Sequence, residues 1–251
     1  MKTIDLNCDM GESYGAWKMG ADAQIMPYIT SANIACGFHA GDPGTIRKTV
    51  KLAHEHGVAI GAHPSLPDLM GFGRRVMQIK PQEMYDLVLY QAGAVKAFAE
   101  AIGGKLHHVK CHGALYNMST DDVGLSQAMA QAVKDLGGDV VMYGLANSPM
   151  LETARKMGLR VAGEAFADRG YTDAGRLASR DDPKGMIVDE AQSVAQALQI
   201  IEAGAVTSTA GKQVAVSAQT LCLHGDQPDA VAFAKAMRAV FAGRGITVMT
   251  I

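Results

Sequence analysis

Acidic and imidazole side chains recur in this sequence at the ends of short apolar runs, beside glycine. Asp9 and Glu12 follow the run at 4–8, and His39 follows the run at 33–36. His63 closes 60–62, Lys110 and His112 close 107–111, Glu164 closes 161–163, and His224 and Asp226 follow 221–223. Gathered in one place, such groups shift one another's pKa and yield general acids and bases. The same donors suit a divalent metal, so residue types alone leave both chemistries open. Lys110 could pair with Asp9, hold a substrate carboxylate or act as an amine nucleophile. The first two roles are favoured, because a Schiff base needs a carbonyl substrate. Arg74-Arg75, after Gly71-Phe72-Gly73, could clamp an anion from a loop, with a plain surface pair an almost equal alternative.

Other titratable residues read as structural. His108 and His112 form H-x3-H, but on a strand they stand about 13 Å apart at roughly 3.3 Å per residue. One zinc, with bonds of about 2 Å, cannot span that distance. His54 and His56 end a helical pattern and suit its dipole, and His107 is expected to point outward. The four cysteines, Cys8, Cys36, Cys111 and Cys222, lie singly in strand-like runs without ligand spacing, and read as small buried hydrophobes. Gly71-Phe72-Gly73-Arg74-Arg75-Val76 lacks the third glycine of GxGxxG, and Gly211-Lys212-Gln213 is not a phosphate loop. No GxSxG nucleophile elbow occurs either.

The elements that must position these groups alternate along the whole chain. Strands are predicted at 3–8, 31–36, 58–62, 107–111, 139–143, 159–163, 220–224 and 246–250. A helix capped by Asp42-Pro43 and ended by Gly57 has Ile46, Val50 and Ala53 as its apolar stripe. Another opens at Pro81 and runs to Gly103-Gly104, and others read at 122–136, 149–157, 189–203 and 228–242. The segment 10–30 has room for a short helix, 206–217 reads as a hairpin, and 164–188 is a long polar connection of the kind that is usually functional or mobile. Strand-then-helix alternation implies a parallel sheet with helices outside. Along the first strand Ile4, Leu6 and Cys8 share one face, while Asp5, Asn7 and Asp9 share the other. His108, Lys110 and His112 likewise oppose Val109 and Cys111. Central strands of an open sheet would be apolar on both faces, so one polar face points to a closed β/α barrel with a polar lumen. Active-site residues of such barrels collect at the C-terminal ends of the strands.

The chain has 251 residues, 48% hydrophobic and 19% charged, with no composition break, and is read as a single domain over 1–251. A formal net charge of -2 and the lack of a basic block argue against nucleic acid. The first residues turn acidic before an apolar signal core could form, and no apolar run reaches the roughly 20 residues of a bilayer span. A soluble, cytoplasmic protein acting on a small molecule is expected.

Six stretches together resemble the LamB/YcsF family: Asn7-Cys8-Asp9-Met10-Gly11-Glu12, 33–43, Gly61-Ala62-His63-Pro64, 71–75, 110–116 and 222–226. The resemblance runs in order over essentially the whole chain. It implies an irregular barrel of seven main parallel strands, of the glycoside hydrolase/deacetylase type, so one of the eight expected strands should be short or outside the ring. It also implies ATP-dependent opening of 5-oxo-L-proline to L-glutamate, this chain serving as the A subunit beside subunits B and C of a 5-oxoprolinase. Within that reaction Asp9, Lys110, His112, His224 and Asp226 are the candidate catalytic residues. Glu12, Asn33, His39, His63, Arg75 and Glu164 are the candidate substrate-binding residues, Asn33 or His39 as oxyanion donors. Nucleotide handling falls mainly to the partners, and a divalent metal stays open. The alternatives are a stand-alone metal-dependent amidase or carbohydrate deacetylase, and a non-catalytic barrel binding a small carboxylate or sugar.

Overall fold

The computed structural model of the chain describes residues 2–223 and 230–251. Strand β1 (Lys2–Met10) leads through a short helix α1 (Asp22–Ile25) and a 3-10 turn at Met26–Tyr28 to β2 (Ser31–Ala35). There follow α2 (Pro43–Glu55), β3 (Ala59–His63), α3 (Pro81–Ala101), β4 (Leu106–Lys110), α4 (Gly113–Asp121), α5 (Val123–Asp135), β5 (Val141–Leu145), α6 (Pro149–Lys156) and β6 (Val161–Phe166). The chain ends with α7 (Glu190–Ala203), the hairpin β7 (Ala205–Thr207) and β8 (Gln213–Ala215), then β9 (Thr220–Leu223), α8 (Ala230–Gly243) and β10 (Ile246–Val248).

Among the described residues, β1 to β6 and β9 close into a seven-stranded parallel ring. Closure is made by β9, which pairs with β6 at Glu164↔Thr220 and with β1 at Asp5↔Thr220. Among the described residues the eighth expected strand, β10, pairs only with the start of β1, at Lys2↔Ile246, and stands outside the ring. The expected hairpin is β7–β8, antiparallel and apart from the barrel. Helix α4 is an addition to the expected elements: 113–121 carries too short an apolar stripe to read as a helix, although Leu115 and Tyr116 are buried. It starts directly after His112 and therefore holds that residue at a fixed helix entry.

Local chemistry explains the helix boundaries. The Asp42 carboxylate accepts from Gly44 N (2.9 Å) and Thr45 N (3.1 Å), with Pro43 in the first turn where no N–H is needed. Ile46, Val50 and Ala53 then bury one face of α2. Helix α7 starts on Asp189 and ends where Gly204 turns left-handed. The long connection after β6 is well anchored. Bridges Arg169↔Met186 and Tyr171↔Leu177 fold it back on itself, and Gln196 Nε2 donates to Phe166 O and Arg169 O, both at 2.8 Å. No helix among the described residues is long and apolar enough to cross a membrane.

The lumen is polar and layered. At its lower level Asp5 accepts from Thr30 Oγ1 and Ser31 Oγ (both 2.7 Å), Thr220 Oγ1 (2.6 Å) and Tyr143 OH (3.1 Å). Burial raises the Asp5 carboxyl above its ordinary range, and these donors oppose that rise. The Tyr143 ring stacks on His108 at 4.2 Å, and His108 Nε2 lies 2.8 Å from Asn33 Oδ1. His108 fits because Gly61 has no side chain: an added Cβ there would overlap its ring.

Gly61→Ala should therefore lower stability by about 1–3 kcal/mol through overpacking. Gly93→Ala, in the interior of α3 with open space around it, should raise stability by up to about 1 kcal/mol. Urea unfolding of the two variants checks the pair, and equal stabilities would contradict this packing.

Candidate active site

At the next level up, three other ring strands meet on Lys110 of β4. Its Nζ lies 2.9 Å from Asp9 Oδ1 on β1, 2.8 Å from Glu164 Oε1 on β6, 3.2 Å from Asn7 Oδ1 and 3.1 Å from Cys222 Sγ on β9. An ammonium has three N–H donors, so these contacts saturate it. Burial alone would pull this ammonium down, but the Asp9 and Glu164 carboxylates outweigh burial and hold it well above its ordinary value. Lys110 is thus a charged strut and has no donor left for a substrate carboxylate. Asp9 also accepts from Asn33 Nδ2 at 2.8 Å on Oδ1, which leaves Oδ2 facing His63 Nε2 at 3.3 Å.

Above Asp9 stand three imidazoles and a carboxylate. Glu12, His39, His63 and His112 each offer a ligand atom within 4.8 Å of the others. His39 stacks on His112 at 3.8 Å, nearly parallel. Burial, then the neighbouring imidazoles, pushes both His39 and His112 well below the ordinary histidine range, so both rings are neutral near pH 7. His63 Nδ1 lies 2.7 Å from Lys110 O, and His112 Nε2 lies 2.9 Å from Phe72 O. A main-chain carbonyl accepts only, so each of those nitrogens carries a proton. His112 Nδ1 is then a lone-pair atom, and it faces His63 Nε2 at 3.0 Å. Glu12 Oε1 lies 3.3 Å from His39 Nε2 and 3.7 Å from His112 Nδ1. Acceptors converge on one another here. A cation shared among them, either a second proton on His63 or a divalent metal, satisfies them. Two imidazoles with their outer N–H groups on main-chain carbonyls, plus a carboxylate, are a fitting donor set for a metal.

The loop after β3 makes this cluster possible. Phe72 and Gly73 both have positive φ, which turns the Phe72 carbonyl onto His112. A side chain at Gly73 would overlap Ser65 Oγ and press on His112 and His39. The broken GxGxxG is thus a glycine turn wrapped on imidazoles. Asp68 steadies the loop through Gly71 N (2.9 Å) and Arg75 Nε (2.9 Å), and the Arg75 hydrogen bond holds the Asp68 carboxyl down at about 2.

A cavity of about 540 Å³ opens onto the cluster, lined by Asp9, Glu12, His63 and His112 together with the apolar Leu145 and Phe166. Arg74, Arg169, Arg176 and Arg180 also line it. The structure redistributes several of the expected roles. Arg75 is tied to Asp68, and its neighbour Arg74 reaches the cavity instead. Glu164 is fully buried behind Lys110, beside Tyr116. Asn33 and His39 are buried and are not among the residues that line the cavity. His224 and Asp226 lie outside the described residues. His107 is half-buried rather than fully outward, with Nε2 3.1 Å from Ile251 O. All four cysteines are buried free thiols; Cys222 faces the lumen, where burial holds it in the thiol form. Tyr116 and Arg169 are among the cavity residues that the sequence did not single out as site candidates. Tyr116 lies in the 110–116 motif and Arg169 in the 164–188 connection, but nothing in the spacing aims either one inward.

Residues 4–251 match the model of the LamB/YcsF family. The chain belongs to the LamB/YcsF family. It is 57% identical over 245 residues to a Bordetella parapertussis protein named as the A subunit of 5-oxoprolinase, covering 98% of this chain and 97% of that one. It is 51% identical over 248 residues to the protein of the same name from Brevibacillus brevis, covering 99% and 98%. Among solved structures, a lactam utilization protein from Thermus thermophilus superposes with a TM-score of 0.93 at 47% identity, covering both chains completely. The seven-stranded barrel that the LamB/YcsF motifs imply is therefore the fold of this chain.

Lys110→Met should destabilise the protein by about 3–5 kcal/mol, because it strands two buried carboxylates without a cation. Urea denaturation checks this, and a loss below about 1 kcal/mol, the scale of an exposed ion pair, would contradict the strut.

Proposed function

We propose that this chain is the A subunit of an ATP-dependent 5-oxoprolinase and opens the ring of 5-oxo-L-proline to give L-glutamate together with subunits B and C. What carries the reading is an acid-, imidazole- and arginine-lined lumen in a chain that is 57% identical, end to end, to a protein named as that subunit. A lactam is a resonance-stabilised amide with a poor leaving group. Activation of its carbonyl oxygen by ATP makes the carbon electrophilic, and that step is assigned to the partners because this sequence has no phosphate loop.

The lactam ring would lie against Asp9, His63 and His112 and the apolar Leu145 and Phe166. Asp9 Oδ2, the oxygen that Lys110 does not hold, takes a proton from the attacking water and returns it to the ring nitrogen as the C–N bond breaks. The acyl phosphate left behind is hydrolysed by a second water to L-glutamate and inorganic phosphate. Lys110 keeps Asp9 ionised between turnovers. Glu12, His39, His63 and His112 would hold a divalent metal, which supplies Lewis acidity toward the carbonyl oxygen. His112 thereby moves from the acid–base role expected of it to that of a ligand, and His224 with Asp226 remains a further acid–base candidate. The imidazole–carboxylate cluster also favours a second reading, a metal-dependent amidase or deacetylase that works alone.

Reconstitution with the partner subunits, following glutamate from 5-oxo-L-proline, separates the readings. ATP-dependent formation is expected, and Asp9→Asn should lower turnover by roughly 100-fold or more while circular dichroism is unchanged. Near-normal activity of that variant, or ATP-independent hydrolysis of N-acetyl substrates by the chain alone, would overturn the proposal. In addition, Zn²⁺ or Co²⁺ should raise the unfolding temperature of the wild type and leave His112→Ala unmoved; equal shifts would remove the metal.

A further inference from the structure

We infer that Arg169 is the residue that binds the substrate carboxylate, so that this site selects lactams bearing a carboxylate next to the ring nitrogen over the bare ring. The inference rests on the lactam reading above and assigns the substrate's second polar group to a specific residue.

Elimination narrows the choice of cation. Lys110 is saturated by Asp9, Glu164, Asn7 and Cys222. Arg75 is tied to Asp68. Arg176 is clamped on Asp121, with Nε 2.9 Å and Nη2 2.6 Å from its oxygens. Arg169 differs from all three. It lines the cavity yet is only 7% exposed, and its hydrogen bonds go to main-chain carbonyls: Nε donates to Gly185 O at 3.1 Å and Nη2 to Ala178 O at 2.7 Å. Those bonds use the Nε–Nη2 edge of the guanidinium. The Nη1–Nη2 edge is the second planar fork of the group, and its geometry matches a carboxylate in two-point contact.

Charge points the same way. A carbonyl carries no formal charge, and among the described residues no carboxylate forms an ion pair with Arg169. A buried cation without a paired anion is costly unless one arrives from solution. Arg74 and Arg180 line the same cavity and add to the positive field. Burial, then Arg180, brings the Arg169 guanidinium down to about 10 against the opposing pull of Asp168, which still leaves it charged at neutral pH.

The layout of the cavity also fits. In 5-oxoproline the carbonyl and the carboxylate flank the ring nitrogen on opposite sides. With the carbonyl against Asp9, His63 and His112, the ring meets Phe166 and Leu145, and the carboxylate is left for the arginines. Arg169 follows β6 closely and is fixed by its own backbone, since Arg169 O accepts from Gln196 Nε2 at 2.8 Å. A rigidly held fork loses little entropy on binding, which suits a residue that orients substrate.

Calorimetric titration of the full chain with 5-oxo-L-proline and with 2-pyrrolidinone, the same lactam without the carboxylate, tests this apart from turnover. The wild type should bind 5-oxo-L-proline roughly 10- to 100-fold more tightly, the range of a hydrogen-bonded charge pair. Arg169→Gln should erase that preference while leaving 2-pyrrolidinone binding unchanged, which a merely structural loss would not do. Arg169→Lys keeps the charge but not the fork, and should restore only part of the preference. If Arg169→Gln does not fold, the lysine variant decides alone: an undiminished preference overturns the inference. A preference that survives both substitutions overturns it while the lactam reading stands. A wild type that binds neither lactam overturns the lactam reading, and the inference falls with it.

Discussion

The ion pairs of Lys110 with Asp9 and Glu164 hold the centre of this barrel together. Three strands far apart in sequence bring one ammonium and two carboxylates together in a closed ring, the carboxylates 2.9 and 2.8 Å from the ammonium. Any one of these groups alone in the lumen would carry a large desolvation penalty. Together they compensate one another, and they separate the lumen into two working levels. Below them Asn7, Asn33, His108, Tyr143 and Asp5 form a hydrogen-bonded plug. Above them the imidazole cluster opens to the cavity.

The same lysine organises the upper level through its backbone as well as its side chain. Its Nζ fixes one oxygen of Asp9 and so aims the other at His63, while its carbonyl fixes the tautomer of His63. The loop after β3 does the equivalent for His112 through Phe72. Two independent anchors therefore turn lone pairs toward each other. That convergence gives the site its capacity to hold a cation, and it follows from where the protons are tied rather than from the count of histidines.

Much of this is legible in the sequence. Alternation of polar and apolar residues in 4–9 and 108–112 locates the lumen face, and glycine-flanked strand ends locate Asp9, His63 and His112. The capping pattern Asp42-Pro43 and the Pro81 start locate two helices. Other features depend on long-range geometry that no local pattern carries. Lys110 and Asp9 are 101 positions apart, so their pairing is one alternative among several until the ring closes. The choice of Arg74 over Arg75 for the cavity is made by the backbone turn at Phe72 and Gly73 and by Asp68 seven residues back. Glu164 reads as a strand-end acid like Asp9, yet the ring seats it behind Lys110. Arg169 lies in a polar connection whose folding back depends on contacts to α7.

The upper level works as proposed only if the acceptors of Glu12, His39, His63 and His112 share one metal ion. Anomalous diffraction from crystals grown with Zn²⁺, recorded on both sides of the zinc edge, tests it most directly. The expected result is a single peak bounded by those four side chains, with Asp9 Oδ2 on its open side. A peak elsewhere, with His63 and His112 still 3.0 Å apart across a shared proton, would contradict it.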